Sequence, residues 1–279
     1  MLSDFTRRGR SAAGRLARRF KPYRDFRDLR REVEELRVDR EQLSDALCRA
    51  RGYPPPPRHL QERVVGGYFR DFVRSSDRTL DDFGEALAGA GRSLTSFRSV
   101  LDFGCGCGRV TLAARGRLAP DAALCGTDID PEAVEWCRTR YSGAARFVTN
   151  GESPPLPFPD ASYDLVYSVS VFTHLPEEMQ FAWLEELRRV ARPGGFLLLS
   201  FHGESYRHCV PAADQKAYRR SGFYYLPVGD TPGLPGFYQA AFHTEGYVRS
   251  VWAQFFDVLE VRPMGLEGLQ DLVICRRRT

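Results

Sequence analysis

Short apolar runs alternate with amphipathic helical segments through the centre of the chain. Five of these runs predict buried strands, at residues 99–103, 123–127, 146–149, 164–168 and 196–200. Strands that alternate with helices favour a mostly parallel sheet with crossover helices. Two later apolar runs, at residues 255–261 and 271–275, predict an antiparallel pair that completes the sheet.

A different periodicity precedes this region. Apolar residues recur at alternating intervals of three and four, with charged residues between them, at Phe26, Leu29, Val33, Leu36, Leu43 and Leu47, and Arg40 takes one slot. A coiled coil between two copies of the chain and a single amphipathic helix packed on its own domain both fit this heptad pattern. The pattern therefore predicts a helical extension over residues 1–52 and leaves its partner open.

The prolines of YPPPPRHL, at residues 53–60, end this extension, since consecutive prolines cannot continue a helix. Residues 61–97 then read as helical, with apolar positions at Val64, Val65, Phe69, Phe72, Val73, Phe83 and Leu87. We therefore divide the chain into the extension, a helical segment over residues 53–97, and an α/β domain over residues 98–279. Within that domain, residues 203–247 form an insertion rich in aromatic residues, glycine and proline.

Charge and composition limit where the protein is expected to reside and which partners it is expected to bind. The net charge is +4, but residues 1–51 carry +6, so the remaining body lacks the basic excess of a nucleic-acid-binding surface. The basic start, with Ala12, Leu16 and Phe20, could contact an anionic membrane surface, and a solvated terminus is the alternative. No apolar stretch is long enough for a membrane span, and no secretory signal follows the basic start. The seven cysteines lack metal-ligand spacing, so we expect a cytoplasmic protein with free thiols and no bound metal.

The stretch VLDFGCGCGRV places a glycine at every second position, directly after an apolar strand and one carboxylate. Gly104, Gly106 and Gly108 let a ligand approach the backbone closely because no Cβ intrudes. A dinucleotide-binding fingerprint would need glycine at position 109, where this chain has arginine. Asp102 would repel a phosphate at the same place. The loop therefore suits a ligand with a positive or neutral face.

A second carboxylate, Asp128, ends the next predicted strand, in the stretch ALCGTDIDPEAV. A carboxylate at that position can accept hydrogen bonds from the two hydroxyls of a ribose. Ile129 beside it could pack on one face of a purine. Asp130 and Pro131 instead start a helix, with Asp130 as its N-cap, so we do not expect Asp130 to bind a ligand.

Four stretches resemble the successive motifs of class I S-adenosylmethionine-dependent methyltransferases in order and spacing: VLDFGCGCGR, GTDID, LPFPDASYDLVYSVSVFTHL and RPGGFLLLS. The resemblance covers residues 98–200 closely and residues 250–275 loosely. It implies an α/β, Rossmann-like fold with a mostly parallel seven-stranded sheet and helices on both faces. It also implies S-adenosyl-L-methionine as the cofactor.

The resemblance further implies a set of cofactor-binding residues: Asp102, Gly104, Gly106, Gly108, Asp128, Ile129, Glu152 and Ser168. The three glycines would wrap the methionine portion, with Asp102 near its amino group and Ser168 bordering the methionine side. Asp128 would bind the ribose hydroxyls, and Ile129 would lie against the adenine. An acidic residue that reaches the adenine amino group matches Glu152, and Asn150 is the alternative.

Methyl transfer to a hydroxyl benefits from a general base, and three histidines follow apolar runs: His174, His202 and His243. We predict His174 as the base because it lies past the fourth strand, near the expected methyl position, and a structural role is the alternative. Residues 59–83 and the aromatic insertion would build the acceptor pocket. The aromatic residues of the insertion could stack on an acceptor or pack against one another.

The expected activity is methyl transfer to a small molecule or a glycan, at oxygen. One alternative is methylation of a protein or lipid, with the basic N terminus as a tether. Another is a catalytically inactive coiled-coil scaffold, against which the intact carboxylates and glycines argue, since an inactive site need not keep them. The expected partner is therefore a small-molecule or glycan acceptor and not a nucleic acid, and a membrane surface and a second copy of the chain are further candidates.

Overall fold

The computed structural model describes residues 26–65, apart from residues 27, 37, 40–41 and 44, and residues 72–279. Three predictions concern positions outside these residues: the basic start with Ala12, Leu16 and Phe20, the heptad position Arg40, and the apolar position Phe69. Within the described ranges, no helix combines the length and the apolar character that crossing a bilayer requires.

The strands of the described chain form one seven-stranded sheet and a separate two-stranded ribbon. They are β1 (Ser99–Phe103), β2 (Ala123–Asp128), β3 (Arg146–Thr149), β4 (Tyr163–Ser168), β5 (Ala191–Phe201), β6 (Phe223–Leu226), β7 (Ala240–His243), β8 (Asp257–Leu266) and β9 (Gln270–Arg276). The sheet order is β3-β2-β1-β4-β5-β9-β8, and β6 pairs with β7 in the ribbon. Neighbouring strands from β3 to β5 are parallel, whereas β9 runs antiparallel to β5 and β8. This confirms the predicted α/β fold with a mostly parallel seven-stranded sheet.

Helices cover both faces of the sheet. They are α1 (Arg58–Val65), α2 (Phe72–Gly89), α3 (Arg109–Arg115), α4 (Pro131–Arg140), α5 (Glu177–Val190), α6 (Gln215–Ser221) and α7 (Glu245–Val251). Alternate residues of β1 enter two different hydrophobic clusters, because successive side chains of a strand point to opposite faces. Val100 packs in the cluster that contains Phe83 of α2, and Leu101 packs in the cluster that contains Trp183 of α5.

The predicted strands are confirmed with small changes in their ends. β1 and β3 have the predicted bounds, and β5 begins earlier than its apolar run because Ala191 pairs with Tyr163 across a bulge. The late antiparallel pair is also confirmed, as β8 and β9. The segment read as helical over residues 61–97 contains the end of α1, which begins earlier at Arg58, together with α2 and a short 3-10 turn at Leu94–Ser96.

The insertion lies between β5 and β8 and is built around the β6–β7 ribbon. A bridge between His202 and Phe242 attaches β7 beside the end of β5. The backbone N–H of Ala241 also donates to the carbonyl oxygen of Thr173, at 2.8 Å. These bonds fix the ribbon next to the segment that follows β4.

Candidate active site

The turn after β1 carries three glycines in the left-handed region, with φ of +82° at Gly104, +51° at Gly106 and +85° at Gly108. A Cβ on Gly104 would lie 2.1 Å from Cγ2 of Val171, and one on Gly106 would lie 2.5 Å from Cγ2 of Val64. The nearest atom to a Cβ on Gly108 would be 3.1 Å away. Both conformation and space therefore require glycine at the first two positions.

The side chain of Asp128, at the end of β2, is hydrogen-bonded to the backbone of this turn. Its Oδ2 accepts a hydrogen bond from the backbone N–H of Gly106 at 2.6 Å, and its Oδ1 accepts one from Asp130 at 2.9 Å. Burial raises the pKa of Asp128, and the backbone N–H bonds act in the opposite direction. Each carboxylate oxygen has a second lone pair, so Asp128 can also accept hydrogen bonds from a ligand.

A pocket of about 880 Å³, including its solvent-open mouth, lies at the carboxyl ends of β1, β2 and β4. It brings together most of the residues singled out in the sequence, namely Gly104, Gly106, Asp128, Ile129, Glu152, His174 and the alternative Asn150. The glycine turn, the β2 carboxylate and the histidine past β4 therefore share one cavity, which is where open α/β sheets bind their ligands.

Asp102, Gly108 and Ser168 do not line this pocket. Asp102 is 2% exposed, and its Oδ2 accepts a hydrogen bond from the hydroxyl of Thr111 at 2.6 Å. Ser168 is buried, and its Oγ has no hydrogen-bond partner among the described residues. The wall at the end of β4 is formed instead by the next three residues, Val169, Ser170 and Val171.

The buried carboxyl of Asp102 predicts a pH-dependent stability. Burial raises its pKa from 3.8 to about 7, and the bond from Thr111 acts in the opposite direction. The folded state thus holds this proton more tightly than the unfolded state, so the stabilisation is present at low pH and is lost as the pH rises towards about 7. We expect Asp102→Asn, which does not titrate, to reduce the change in unfolding free energy between about pH 4 and 7. Urea denaturation between about pH 4 and 7 measures this change. If the unfolding free energy of the variant and of the wild type changed with pH in the same way, Asp102 would not be the titrating group.

The two candidates for an adenine contact, Asn150 and Glu152, differ in their hydrogen bonds. The side chain of Asn150 is engaged, because its Oδ1 accepts from the hydroxyl of Thr127 and its Nδ2 donates to the carbonyl of Gly151, both at 2.8 Å. Glu152 lines the same pocket and is exposed, with no hydrogen bond or ion pair to another described residue. The carboxylate of Glu152 is therefore the group that is free to meet a ligand.

His174 lies past β4 and has a defined tautomer. Its Nδ1 is 2.6 Å from the carbonyl oxygen of Gln239, so this nitrogen carries the proton of the neutral ring, and Nε2 remains an acceptor. The ring stacks on Tyr238, with centroids 3.8 Å apart and planes 20° from parallel. Burial lowers the pKa of His174 to about 4, and the bond to Gln239 opposes this shift. The imidazole is therefore neutral at physiological pH.

The other two candidate histidines lie outside the pocket. The ring of His202 is 6.3 Å from that of His174, and its Nδ1 is 3.2 Å from the carbonyl oxygen of Ala241. His243 is fully buried, and its Nε2 is 2.8 Å from Oε1 of Gln180. Burial lowers the pKa of His202 to about 4 and that of His243 to about 3. His174 is the histidine of the three that reaches the pocket.

The loop between β6 and β7 supplies one wall of the pocket, with Leu234, Pro235, Phe237 and Tyr238. Of the aromatic residues in the insertion, Phe237 and Tyr238 line the pocket. The others contact protein groups: Tyr224, for example, donates from its hydroxyl to Asp214 at 2.6 Å, and Phe242 is buried. Two aromatic residues of the insertion thus line the pocket, and others pack within the protein.

Sequence reasoning missed Gln239, which ties this loop together. Its side-chain Oε1 accepts hydrogen bonds from the backbone N–H groups of Val228 at 2.7 Å and Gly229 at 3.1 Å. Its Nε2 donates to the carbonyl of Gly236 at 2.7 Å. Its own carbonyl accepts from His174, so one residue fixes both the loop and the imidazole. No motif marks such a glutamine.

We expect Gln239→Ala to lower turnover by about 10²-fold, since a shift of the loop by about 1 Å would displace the imidazole. Cofactor affinity should change little, because Gln239 does not line the pocket. Gln215→Ala is the matched control, as Gln215 also donates to two backbone carbonyls within the insertion, at 2.6 and 2.8 Å, but away from the pocket. An equal loss of turnover in both variants would indicate general loosening of the insertion.

The segment before the sheet also contributes to the pocket, through Leu60, Arg63 and Val64 of α1. Nη1 of Arg63 lies 2.8 Å from Oδ2 of Asp130 and 2.8 Å from Oε2 of Glu132. Asp130 caps α4 as predicted, since its side chain accepts from two backbone N–H groups of the first turn. It also lines the pocket, which the capping role did not indicate. Helix α1 is thus paired to the start of α4 beside the glycine turn.

Comparisons with known proteins agree with this geometry. Residues 100–195 match a family described as a methyltransferase domain. The malonyl-[acyl-carrier protein] O-methyltransferase of Hahella chejuensis is 32% identical over 119 residues, which are 43% of this chain and 41% of that protein. A fatty-acid O-methyltransferase of Mycolicibacterium smegmatis is 34% identical over 101 residues, 36% of each chain. The matched part of this chain thus spans less than half the length of these relatives.

The fold has a parallel among solved structures. Human N-acetylserotonin methyltransferase in complex with S-adenosylmethionine superimposes with a TM-score of 0.51 at 17% identity, over 74% of this chain and 52% of that one. At this identity the likeness concerns the fold. Together with the matched family and the four motifs on β1, β2, β4 and β5, it shows that the chain contains a class I methyltransferase domain, an enzyme domain whose cofactor is S-adenosylmethionine.

Proposed function

We propose that the protein methylates a hydroxyl oxygen of a small molecule or a glycan. When bound, S-adenosylmethionine supplies a methyl group on a sulfonium centre that is already activated for displacement. The observation that carries the proposal is His174, a neutral imidazole of fixed tautomer in the same pocket as the glycine turn and Asp128. A base beside an activated methyl group is the arrangement that a hydroxyl acceptor needs.

The residues of the pocket fit this cofactor. Among the described residues, its charged side chains are Arg63, Asp128, Asp130 and Glu152, and Arg63 is paired with Asp130. The remaining charge is negative, which suits a ligand that carries a sulfonium and an amino group. Gly104 and Gly106 line the pocket and carry no side chain, so they present backbone to the methionine portion.

We infer individual roles from this arrangement. Gly104 and Gly106 would hold the methionine portion, Asp128 the ribose hydroxyls, and Ile129 and Glu152 the adenine. The residues that do not line the pocket, Asp102, Gly108 and Ser168, would support the turn and the strand ends from beneath.

His174 would accept the proton of the acceptor hydroxyl at Nε2. The hydrogen bond from Nδ1 to the carbonyl of Gln239 keeps the proton on the other nitrogen, so Nε2 is available as a base. With a pKa of about 4, the ring is in its basic form at neutral pH. When the ring gains a proton, the same carbonyl stabilises the imidazolium.

The wall near His174 favours an acceptor with an apolar body. Val169, Val171, Leu234, Pro235 and Phe237 line the pocket there. A sugar with several hydroxyls would leave some of them buried without partners, which costs free energy. The two O-methyltransferases among the relatives support oxygen as the target. We therefore favour an apolar small molecule with a hydroxyl group over a glycan.

Two measurements test this proposal. Unfolding with S-adenosylhomocysteine at 100 times its Kd should show a stabilisation of about 2.7 kcal/mol. Radiolabelled methyl donor, incubated with fractions of small molecules, lipids, polysaccharides and proteins, should then label small apolar hydroxy compounds. Label in the polysaccharides would favour the glycan reading, and label in proteins or membrane lipids would favour a tethered enzyme. Binding without any label would favour the inactive scaffold.

A further inference from the structure

An uncovered apolar stripe lies on the N-terminal helical residues. Among the described residues, ten large apolar side chains are exposed, and six of them lie between Phe26 and Leu43. Five of these six follow the heptad spacing and are 49–61% exposed: Phe26, Leu29, Val33, Leu36 and Leu43. Such a concentration on one helix face marks an interaction surface, because isolated exposed residues would not align with the helical period.

The stripe continues into the folded body at its C-terminal end. Leu47, the next heptad position, is half-buried, and Cys48 is buried with Leu60 and Phe72. The described part of the chain therefore partly covers Leu47 and leaves the five apolar heptad positions from Phe26 to Leu43 exposed. A single helix packed on its own domain does not account for the exposed positions.

The charges beside the stripe indicate what covers it. With Phe26 and Val33 at a positions and Leu29 and Leu36 at d positions, the g positions are Asp25, Glu32 and Asp39, and the e positions are Arg30, Arg37 and Ser44. Asp25, Arg37 and Ser44 lie outside the described residues and are placed by the sequence alone. One flank of the stripe is thus acidic, and the other is basic or neutral.

This asymmetry distinguishes the two orientations of a helix pair. In a parallel pair, each g residue faces an e residue of the other chain, so acid meets base. In an antiparallel pair of identical helices, g faces g and e faces e, so like charges meet. The chain is therefore complementary to a parallel copy of itself.

We propose that residues 26–47 form a parallel two-stranded coiled coil with a second copy of this chain. In the register of the sequence, each g residue then faces the e residue five positions later in the second copy. The sequence register assigns Arg40 to an a position, and a single polar residue at such a position selects register and oligomeric state at some cost in stability. The dimer is independent of the proposed methyl transfer, so each proposal can fail without the other.

Sedimentation equilibrium of the full chain at low salt tests the dimer, which should have twice the 31.6 kDa of one chain. Glu32→Arg places an arginine opposite Arg37 of the second copy. Association should weaken about 10-fold, because each of the two symmetric pairs loses an attraction and gains a repulsion. Adding Arg37→Glu should restore it. Asp28→Arg makes the same charge change at a c position, away from the seam, and should have little effect.

Cross-linking tests the orientation. Leu29→Cys, made with Cys209→Ser because Cys209 is the exposed native cysteine, should form a disulfide-linked dimer on oxidation, since a d residue faces itself in a parallel pair. Arg31→Cys, at an outer f position, should not. A chain that stays monomeric, including one that binds anionic phospholipid vesicles instead, would overturn the proposal. The proposal would also be wrong if Glu32→Arg did not weaken the dimer, or if the Leu29→Cys variant formed a dimer without a disulfide between its chains.

Discussion

Replacement of His174 by glutamine is expected to lower kcat with a hydroxyl acceptor by about 10²–10⁴-fold, the usual contribution of a positioned general base. Glutamine can still donate a hydrogen bond to the carbonyl of Gln239, but it has no basic nitrogen. The affinity for S-adenosylhomocysteine should stay near the wild-type value. Initial rates and calorimetric titration measure the two effects separately.

The neighbouring His202 provides the control, because its ring is 6.3 Å from that of His174 but lies outside the pocket. His202→Gln should change kcat little. In the wild type, the ionisation of the base should appear near pH 4, where kcat rises with pH, and not near 6.5. If His174→Gln loses cofactor affinity as strongly as turnover, the residue is structural.

Gly104→Ala is expected to weaken cofactor binding by about 10²-fold or more. The left-handed backbone costs about 1–2 kcal/mol for a residue with a Cβ. The new methyl group would also lie 2.1 Å from Cγ2 of Val171, so the turn or that side chain must shift, at about 1–3 kcal/mol. Titration with S-adenosylhomocysteine measures the affinity, and thermal unfolding of the free protein measures the strain.

Two variants separate the causes of that effect. Adding Val171→Ala to Gly104→Ala removes the overlapping atom and should recover the steric part of the loss, while the backbone strain remains. Gly84→Ala, in α2, meets nothing within 4 Å and should bind the cofactor like the wild type. Unchanged affinity in Gly104→Ala would show that the glycine turn is not the cofactor site.

The sequence predicts the sheet well because burial on both faces produces apolar runs of strand length. The glycine turn after β1 and the carboxylate of Asp128 could also be predicted from the sequence, since each lies directly at the end of a predicted strand. Ser168 shows the limit of this reasoning. The end of β4 is correct to the residue, but the pocket begins one residue later, at Val169, and a shift of one residue exchanges the faces of a strand.

The wall from the insertion could not be predicted in the same way. Tyr238 and Gln239 reach His174 because β7 is hydrogen-bonded to Thr173 and bridged to His202, contacts between residues far apart in the chain. Such pairing leaves no local periodicity. The aromatic composition indicated that the insertion mattered, but it could not separate Phe237 and Tyr238 from the aromatic residues that pack elsewhere.

The hydrogen bond between His174 and the backbone of Gln239 joins the segment after β4 to the insertion. His174 lies within the residues that match the methyltransferase family, whereas Gln239, which orients it, lies in the insertion outside that match. Exchanging the insertion for one from a relative would therefore alter reactivity together with selectivity. A chimera made to accept a different molecule has to retain, or replace, the carbonyl that holds the imidazole.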